Sequence, residues 1–414
     1  MGNKVLVTAT TFPRYKDDTE PSFVFELCKQ MKKDYEQIAL VPSSPVSEDE
    51  EEIEGIKIRR FRYFLKKYQK LCYEGGILPN MKKSFLARIQ APFLVIAEFF
   101  AVRKAVKNDK IKLIHAHWIL PQGFIAYLIK KLYKVPYIAT AHAGDVFPLK
   151  KGVFRKIAQL TIKNADFVTA NSTYTKNVLL DIYPELNPKK TAIIPMGVDF
   201  STFNKSKKSI SLRYKYKING ELLLTVGRLA EKKGIKYLIE AMPLVLREYP
   251  EAKLIIIGDG PEKQSLLRLS GMLNLNENII FLDKMPSKEL PRYYASADIF
   301  IGPSIITESG DTEGLGVVFL EAIASGTPAI GSNVGGIPDI IKDNETGLLV
   351  EQKNPEELSK KINYLLRHKQ IRETLAKEGR LFIEKNYSWQ NIGKRFKAVY
   401  TKTLQNTKVS QNEV

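Results

Sequence analysis

The chain has 414 residues, 44% of them apolar and 26% charged, a globular composition with length for two domains that excludes wholesale disorder. Two cysteines, Cys28 and Cys72, and four histidines exclude a disulfide scaffold, a cysteine-based zinc module and a histidine-rich metal site. The 64 Lys and Arg against 45 Asp and Glu leave a formal charge of +19, which suits an anionic partner or a broad solvated basic face.

The first apolar run, Lys4–Ala9, stops at threonines and is too short for a secretory signal core, so the expected compartment is the cytoplasm. Further strands are expected at Gln37–Val41, Lys57–Phe61, Lys112–His117, Tyr137–His142, Phe167–Asn171 and Ala192–Met196. A second series follows at Leu222–Val226, Lys253–Gly258, Ile279–Asp283, Ile299–Gly302, Pro328–Ser332 and Leu348–Val350. Runs such as LIIIG and DIFIG lack polar alternation, as parallel strands covered on both faces do. Helix-length amphipathic segments separate the strands, and strand–helix–strand repetition makes doubly wound sheets. Two series therefore predict an α/β chain with two such domains, 1–203 and 204–387. The polar, basic stretch after Phe203 reads as the boundary, and a last helix within 388–414 is expected to pack back on the first domain.

Charge is uneven along the chain. An acidic run, Glu48–Glu54, precedes a block from Lys57 to Lys107 with 13 Lys/Arg and two acids, Glu74 and Glu98. The longest apolar stretch, Phe93–Val102, contains Glu98 and is too short to span a bilayer.

Ligands of doubly wound sheets bind beyond the carboxyl ends of the strands, and the unusual residues fall there. In Val226–Gly234 (VGRLAEKKG) a strand ends at Gly227, and Arg228 and Lys233 share the next loop. An Arg fork and a Lys point charge suit a diphosphate. In Glu308–Pro328, Glu313 precedes Gly-Leu-Gly and an apolar helix start that carries Glu321. Glycines there let backbone N–H groups approach a ligand, and a helix N-terminus favours phosphate. Glu321 on an apolar face is costly unless it meets hydroxyls or cations. Gly197-Val-Asp199 reads as a turn with positive φ at Gly197, and Phe203 as a plug between the domains. We read His115 and His117 as directed to opposite faces of their strand, hence a poor chelate, with His117 and Trp118 lining a binding cleft. Gly258-Asp-Gly260 lacks the third glycine of a dinucleotide fingerprint.

Taken together, these segments resemble the retaining glycosyltransferases of the GT-B fold, group 1, family GT4. The resemblance rests on Glu313 and Glu321 as the E-x7-E pair, with Pro303-Ser304 before it and Gly326-Thr-Pro328 after it. Gly227-Arg228, Lys233-Gly234, Gly258-Asp-Gly-Pro261, Ala297-Asp298 and Gly197-Val-Asp199 fall in the family order. It implies two Rossmann-like domains facing across a cleft and closing on a nucleotide sugar, with no cofactor and no obligatory metal. Arg228 and Lys233 match the pair that binds the donor diphosphate. Glu313 matches the carboxylate on the transferred sugar, and Glu321 the one on the nucleotide ribose. Leu315, Gly316 and Val317, with Gly227, match the backbone that approaches the donor. His142 matches a histidine near sugar and diphosphate. The base is expected near Lys284 and Met285, with UDP favoured and GDP next.

One departure is the first strand–helix loop, Thr10–Phe23 (TTFPRYKDDTEPSF), where the family often has Gly-Gly. Thr11, His117 and Asp145 are expected on the acceptor side. The basic and aromatic Lys57–Lys107 block fits anionic lipid. The expected partners are thus a nucleotide sugar, a glycan or lipid-linked acceptor and the cytoplasmic face of a membrane. Two rivals remain: a nucleotide-sugar 2-epimerase on the same fold, and a basic nucleic-acid-binding protein, for which no recognised module is present. No oligomeric state follows from the sequence.

Overall fold

A computed structural model describes residues 3–144, 146, 149 and 152–412, with side chains through 407. The chain divides into two compact units, 1–196 with 389–414, and 197–388. The division falls at Met196/Gly197, seven residues before the expected boundary. The stretch after Phe203 is no linker. It forms a short helix, Ile210–Lys215, held in the second unit by Arg213 to Asp298 at 2.9 Å and by Ser209 N–H donating to Ser296. Phe203 is buried and packs edge-on against Tyr294 inside the same unit.

The first unit carries β1 (Lys4–Thr8), β2 (Glu36–Pro42), β3 (Glu50–Ile53), β4 (Ile56–Phe61), β5 (Leu113–His117), β6 (Tyr137–Ala141), β7 (Phe167–Ala170) and β8 (Thr191–Ile193). Their order is β3-β4-β2-β1-β5-β6-β7-β8. All pairings are parallel except β3 with β4. The second unit carries β9 (Leu222–Val226), β10 (Lys253–Ile257), β11 (Ile279–Leu282), β12 (Ile299–Gly302), β13 (Ala329–Ser332) and β14 (Leu348–Val350). It is wholly parallel, in the order β11-β10-β9-β12-β13-β14. The continuous apolar runs are buried on both faces; in β10, Leu254, Ile255 and Ile256 have no exposure, as covered parallel strands require.

Strand β3 has no counterpart among the expected strands, because residues 50–53 are Glu-Glu-Glu-Ile. Cross-strand charge makes it. Glu50 lies opposite Arg59 and Glu52 opposite Lys57; Arg60 pairs with Glu51 and Arg62 with Asp49. Opposite charges facing across an antiparallel pair stabilise it. The acidic run thus neutralises the front of the basic block, so Arg59, Arg60 and Arg62 are structural cations.

The final helix spans Trp389–Asn412. It packs in the first unit: Tyr400 hydroxyl lies 2.7 Å from His115 Nδ1, and Thr401 bonds Tyr35 at 3.0 Å. Another correction concerns Phe93–Val102, which lies within one continuous helix, Phe85–Asp109, long and apolar enough to cross a membrane.

In each sheet the strand order reverses at one point, between β1 and β5 and between β9 and β12. Such points open a crevice at the carboxyl ends of the strands. Thr11 and His117 follow β1 and end β5; Gly227 and the 303–316 loop follow β9 and β12.

Candidate active site

In the second unit the site grows from the end of β9. Gly227 has φ +153°, and the stem of Lys233 lies over it: a Cβ there would meet Lys233 Cε at 3.5 Å. A Cβ on Gly258 would fall 1.9 Å from Gly227 O. The loops after β9 and β10 therefore touch backbone to backbone, which only glycine permits. Arg228 sits partly buried in the same turn, its carbonyl accepting from Ala230 N–H at 2.8 Å. Lys233 ends the turn Glu231–Lys233, and its ammonium pairs with Glu313. The neighbouring Lys232 turns to the 303–316 loop, where it meets Asp311 Oδ1 at 3.1 Å and Thr312 O at 3.3 Å.

Glu313 is largely buried. Burial opposes its ionisation, but Lys233 and Lys232 outweigh that and hold its carboxyl below the usual range. Gly316, at φ +90°, opens the eight-residue helix Val317–Ala324, and no side chain caps it. Leu315 is buried beneath this opening. Glu321 is the fifth helical residue. Burial pushes its carboxyl up to about 7, against the pull of the Tyr294 hydroxyl, which donates to it at 2.8 Å, and of Lys233. Lys233 therefore acts on both carboxylates. A pocket here is lined by Gly227, Lys233, Gly302, Ser304, Glu313 and Phe319, among others.

Lys284 and Met285 follow β11, the edge strand, two strands removed from β9. Gly197 is not among the described glycines with positive φ. The turn is made instead by Asp199, whose carboxylate accepts from Ser201 N–H at 2.9 Å and from Thr202 at 2.6 Å. Asp298, from the family-ordered Ala297-Asp298, accepts from Leu222 N–H at 2.8 Å and ties β9 to β12.

In the first unit His117 does not line a cleft. It has no exposure, and its Nδ1 lies 2.9 Å from Nε2 of the partly exposed His142. The two rings stack at 5.2 Å, with Trp118 and Phe23 each 5.1 Å from His142. Nor do His115 and His117 point to opposite faces. Residues two apart on a strand share a face, and these rings lie 4.2 Å apart. They make a poor chelate for another reason: His115 is committed at both nitrogens, to Tyr400 and Thr140, each at 2.7 Å. Burial lowers His115 to about 3, His117 well below its usual value, and His142 likewise. All three are neutral at physiological pH. Trp118 (φ +80°) and Ala143 (φ +71°) flank the pair with positive φ, a backbone strain that the packed surroundings must hold in place.

Thr11 is partly exposed after β1. Its loop is pinned by Arg14, which pairs with Asp18 at 2.8 Å, and by Arg60 donating to Pro13 O at 2.9 Å. Asp145 lies outside the described residues. Among the described residues no group of three or more His, Cys, Asp or Glu is placed to hold a metal ion. Sequence reasoning missed Tyr294 and Lys232. The Lys-Lys pair at 232–233 was a visible signal; for Tyr294, inside an ordinary helix, there was none.

Residues 22–202 match the family described as Glycosyltransferase Family 4, and residues 210–382 match Glycosyl transferases group 1. An uncharacterized glycosyltransferase of Methanocaldococcus jannaschii is 30% identical over 308 residues, 70% of this chain and 75% of the relative. The chain belongs to the group 1, family 4 glycosyltransferases. A second relative is the GDP-mannose-dependent α-(1-6)-phosphatidylinositol monomannoside mannosyltransferase of Mycolicibacterium smegmatis. It is 29% identical over 66% of this chain and 72% of its own length. Among solved structures, sucrose-phosphate synthase from Thermosynechococcus elongatus has a TM-score of 0.79 at 20% identity, over 98% of this chain and all of that one. The glycosyltransferase has the GT-B fold of such neighbours.

Proposed function

We propose that this glycosyltransferase moves a hexose, with retention, from a uridine or guanosine diphosphate sugar to a lipid-linked or cell-surface glycan precursor at the cytoplasmic face of a membrane. The observation that carries the donor reading is Lys233, laid over Gly227 at the end of β9 and paired with Glu313. A cation held by one carboxylate at the carboxyl edge of a parallel sheet is ready for a diphosphate.

When the bond from the anomeric carbon to the diphosphate oxygen breaks, negative charge grows on the diphosphate. Arg228, Lys233 and the amides of Gly316 and Val317 meet it, and fixed donors of this kind are the usual largest source of rate. The acceptor oxygen bonds to the anomeric carbon from the same face, and its proton passes to the departing phosphate oxygen. Glu313 takes hydroxyls of the transferred sugar and Glu321 the ribose. Leu315 shapes the backbone between them, and Lys284 and Met285 flank the base. Protein cations supply the charge a metal would otherwise bring, so the reading is metal-independent. From the first unit, Thr11 serves the acceptor, and His142 stands near the transferred sugar and its diphosphate. The name of the mycobacterial relative, which includes both GDP-mannose and phosphatidylinositol, supports a guanosine donor beside uridine and an acceptor on lipid.

A donor-hydrolysis screen across nucleotide sugars, with and without chelator, tests this. One uridine or guanosine sugar is expected to be cleaved, with the chelator without effect, and its free nucleotide to raise the midpoint of thermal unfolding. Release of an isomerised nucleotide sugar would turn the reading to the epimerase; no response to any nucleotide would end it.

A further inference from the structure

The helix Phe85–Asp109 is apolar on both sides, yet only one side is covered. Ala87, Gln90, Leu94, Glu98, Val102, Ala105 and Val106 are buried against the first unit. Phe85, Ile89, Phe93, Ile96 and Phe100 stand out in solvent, 75%, 41%, 48%, 55% and 56% exposed. At 3.6 residues per turn these five fall within an arc of about 80°, in a ridge about 22 Å long. Leu65 and Tyr68 are exposed beside it, where Phe64 meets Phe93 at 6.0 Å. A helix apolar all round is normally covered all round, and soluble monomers rarely expose a contiguous patch of this kind.

The helix is not built to span a bilayer. Its inner face carries Gln90, which donates to Tyr68 O at 2.7 Å, and Glu98, which accepts from Gln122 at 3.0 Å. These polar groups are tied into the fold, so the helix stays with its unit.

Charge selects what covers the outer face. Lys82 and Lys83 stand just before the ridge, and Lys104 and Lys107 continue it by the next helical steps. Lys67 and Lys70 lie in the segment beside it. All six are exposed, and among the described residues no ion pair engages them. A second copy docking the same face would set these lysines against one another. An apolar ridge ended by cations fits the boundary between acyl chains and anionic headgroups. We propose that the exposed face of Phe85–Asp109 is a monotopic membrane anchor that inserts Phe85, Phe93, Ile96 and Phe100 among acyl chains while the lysines hold anionic headgroups. This rests on the membrane part of the proposed function and not on its chemistry.

The test is co-sedimentation of the full chain with vesicles of phosphatidylcholine and phosphatidylglycerol, against phosphatidylcholine alone. The wild type is expected to bind the anionic vesicles, and added salt to weaken binding. Phe93→Asp with Ile96→Asp should lower binding about tenfold or more. Both positions are exposed, so donor hydrolysis and the unfolding midpoint should stay at wild-type levels. If the doubly acidic variant misfolds, Phe93→Ser with Ile96→Ser is expected to give the same loss. Phe93→Trp should gain blue-shifted emission on anionic vesicles, quenched by brominated acyl chains. Wild-type binding by the Asp or Ser variants, or no binding by the wild type, overturns the anchor. So does a wild-type dimer that these variants dissociate, which would make a second copy the occupant. Vesicle binding without nucleotide-sugar hydrolysis would leave the anchor standing and bring down the enzymatic reading.

Discussion

The two units bury polar groups in opposite ways. The second unit buries a carboxylate against its cation, Glu313 with Lys233, and a second carboxylate, Glu321, bonded to a tyrosine hydroxyl with Lys233 acting from further away. The first unit holds three histidines as neutral rings, His115 and His117 buried and His142 partly so, with His117 bonded to His142 and His115 to Tyr400 and Thr140. The difference teaches how burial acts on each kind of group: it disfavours whichever form is charged. The histidines are pushed down, so the unfolded chain binds more protons than the fold as pH falls below 6.5, and the cluster then costs stability. Glu321 is pushed up, so the fold holds a proton that the unfolded chain has released between 4.5 and about 7, and stability falls as pH rises through that window. The first unit is therefore acid-labile at its cluster, and the second is strained toward alkaline pH at Glu321.

The largest expected effect is on the charged side of this contrast. Arg228→Ala, Lys233→Ala and Glu313→Gln should each lower turnover about a hundredfold or more, the loss typical of a removed charge-stabilising group. Steady-state rates with the donor found by the screen read this, and wild-type rates in all three would dissolve the site. Stability sharpens the contrast next. Lys233→Ala leaves Glu313 buried beside fewer cations and should cost about 2 kcal/mol, between the surface and fully buried limits. Adding Glu313→Gln to it should return part of that in denaturant melts.

On the neutral side, His117 positions His142. Its Nε2 is buried without a partner among the described residues, and an unpaired acceptor is tolerated better than an unpaired N–H. The proton of His117 therefore belongs on Nδ1, donating to His142 Nε2, which leaves the His142 proton on its own Nδ1. Nitrogen chemical shifts should show that tautomer. His117→Leu should abolish it and lower turnover about tenfold, and His117→Asn, which keeps a donor near Nδ1, should restore much of both. An unchanged His142 tautomer in His117→Leu would make His117 mere packing. The smallest effect is at Glu321. Glu321→Gln should stabilise the fold by about 1 kcal/mol, roughly 2–4 °C, above pH 7 and not below 4.5. Equal shifts at both ends would mean the carboxyl is not titrating in that window.

Much of the fold was legible because parallel strands announce themselves as short unbroken apolar runs: three strands, Leu222–Val226, Ile299–Gly302 and Leu348–Val350, have the expected bounds. Strand β3 was not, since Glu50–Ile53 has no strand-like composition and pairs only because Arg59 and Lys57 stand opposite. In the second unit Lys233 and Glu313 were named from their motifs, and the fold joins them. Tyr294 and the burial of His117 were invisible, because each depends on which helix or strand packs next to it.

By itself the chain's order of residues determined the two-sheet α/β plan, the family and the loops in which charged side chains cluster, since periodicity and motif spacing are local properties. Tertiary structure alone decided that Lys233 meets Glu313 while Lys232 meets Asp311, that Glu321 finds Tyr294, and that the acidic and basic blocks at 49–62 cancel. Those pairings join residues far apart in the chain, and their energies depend on how much water the packed neighbours exclude.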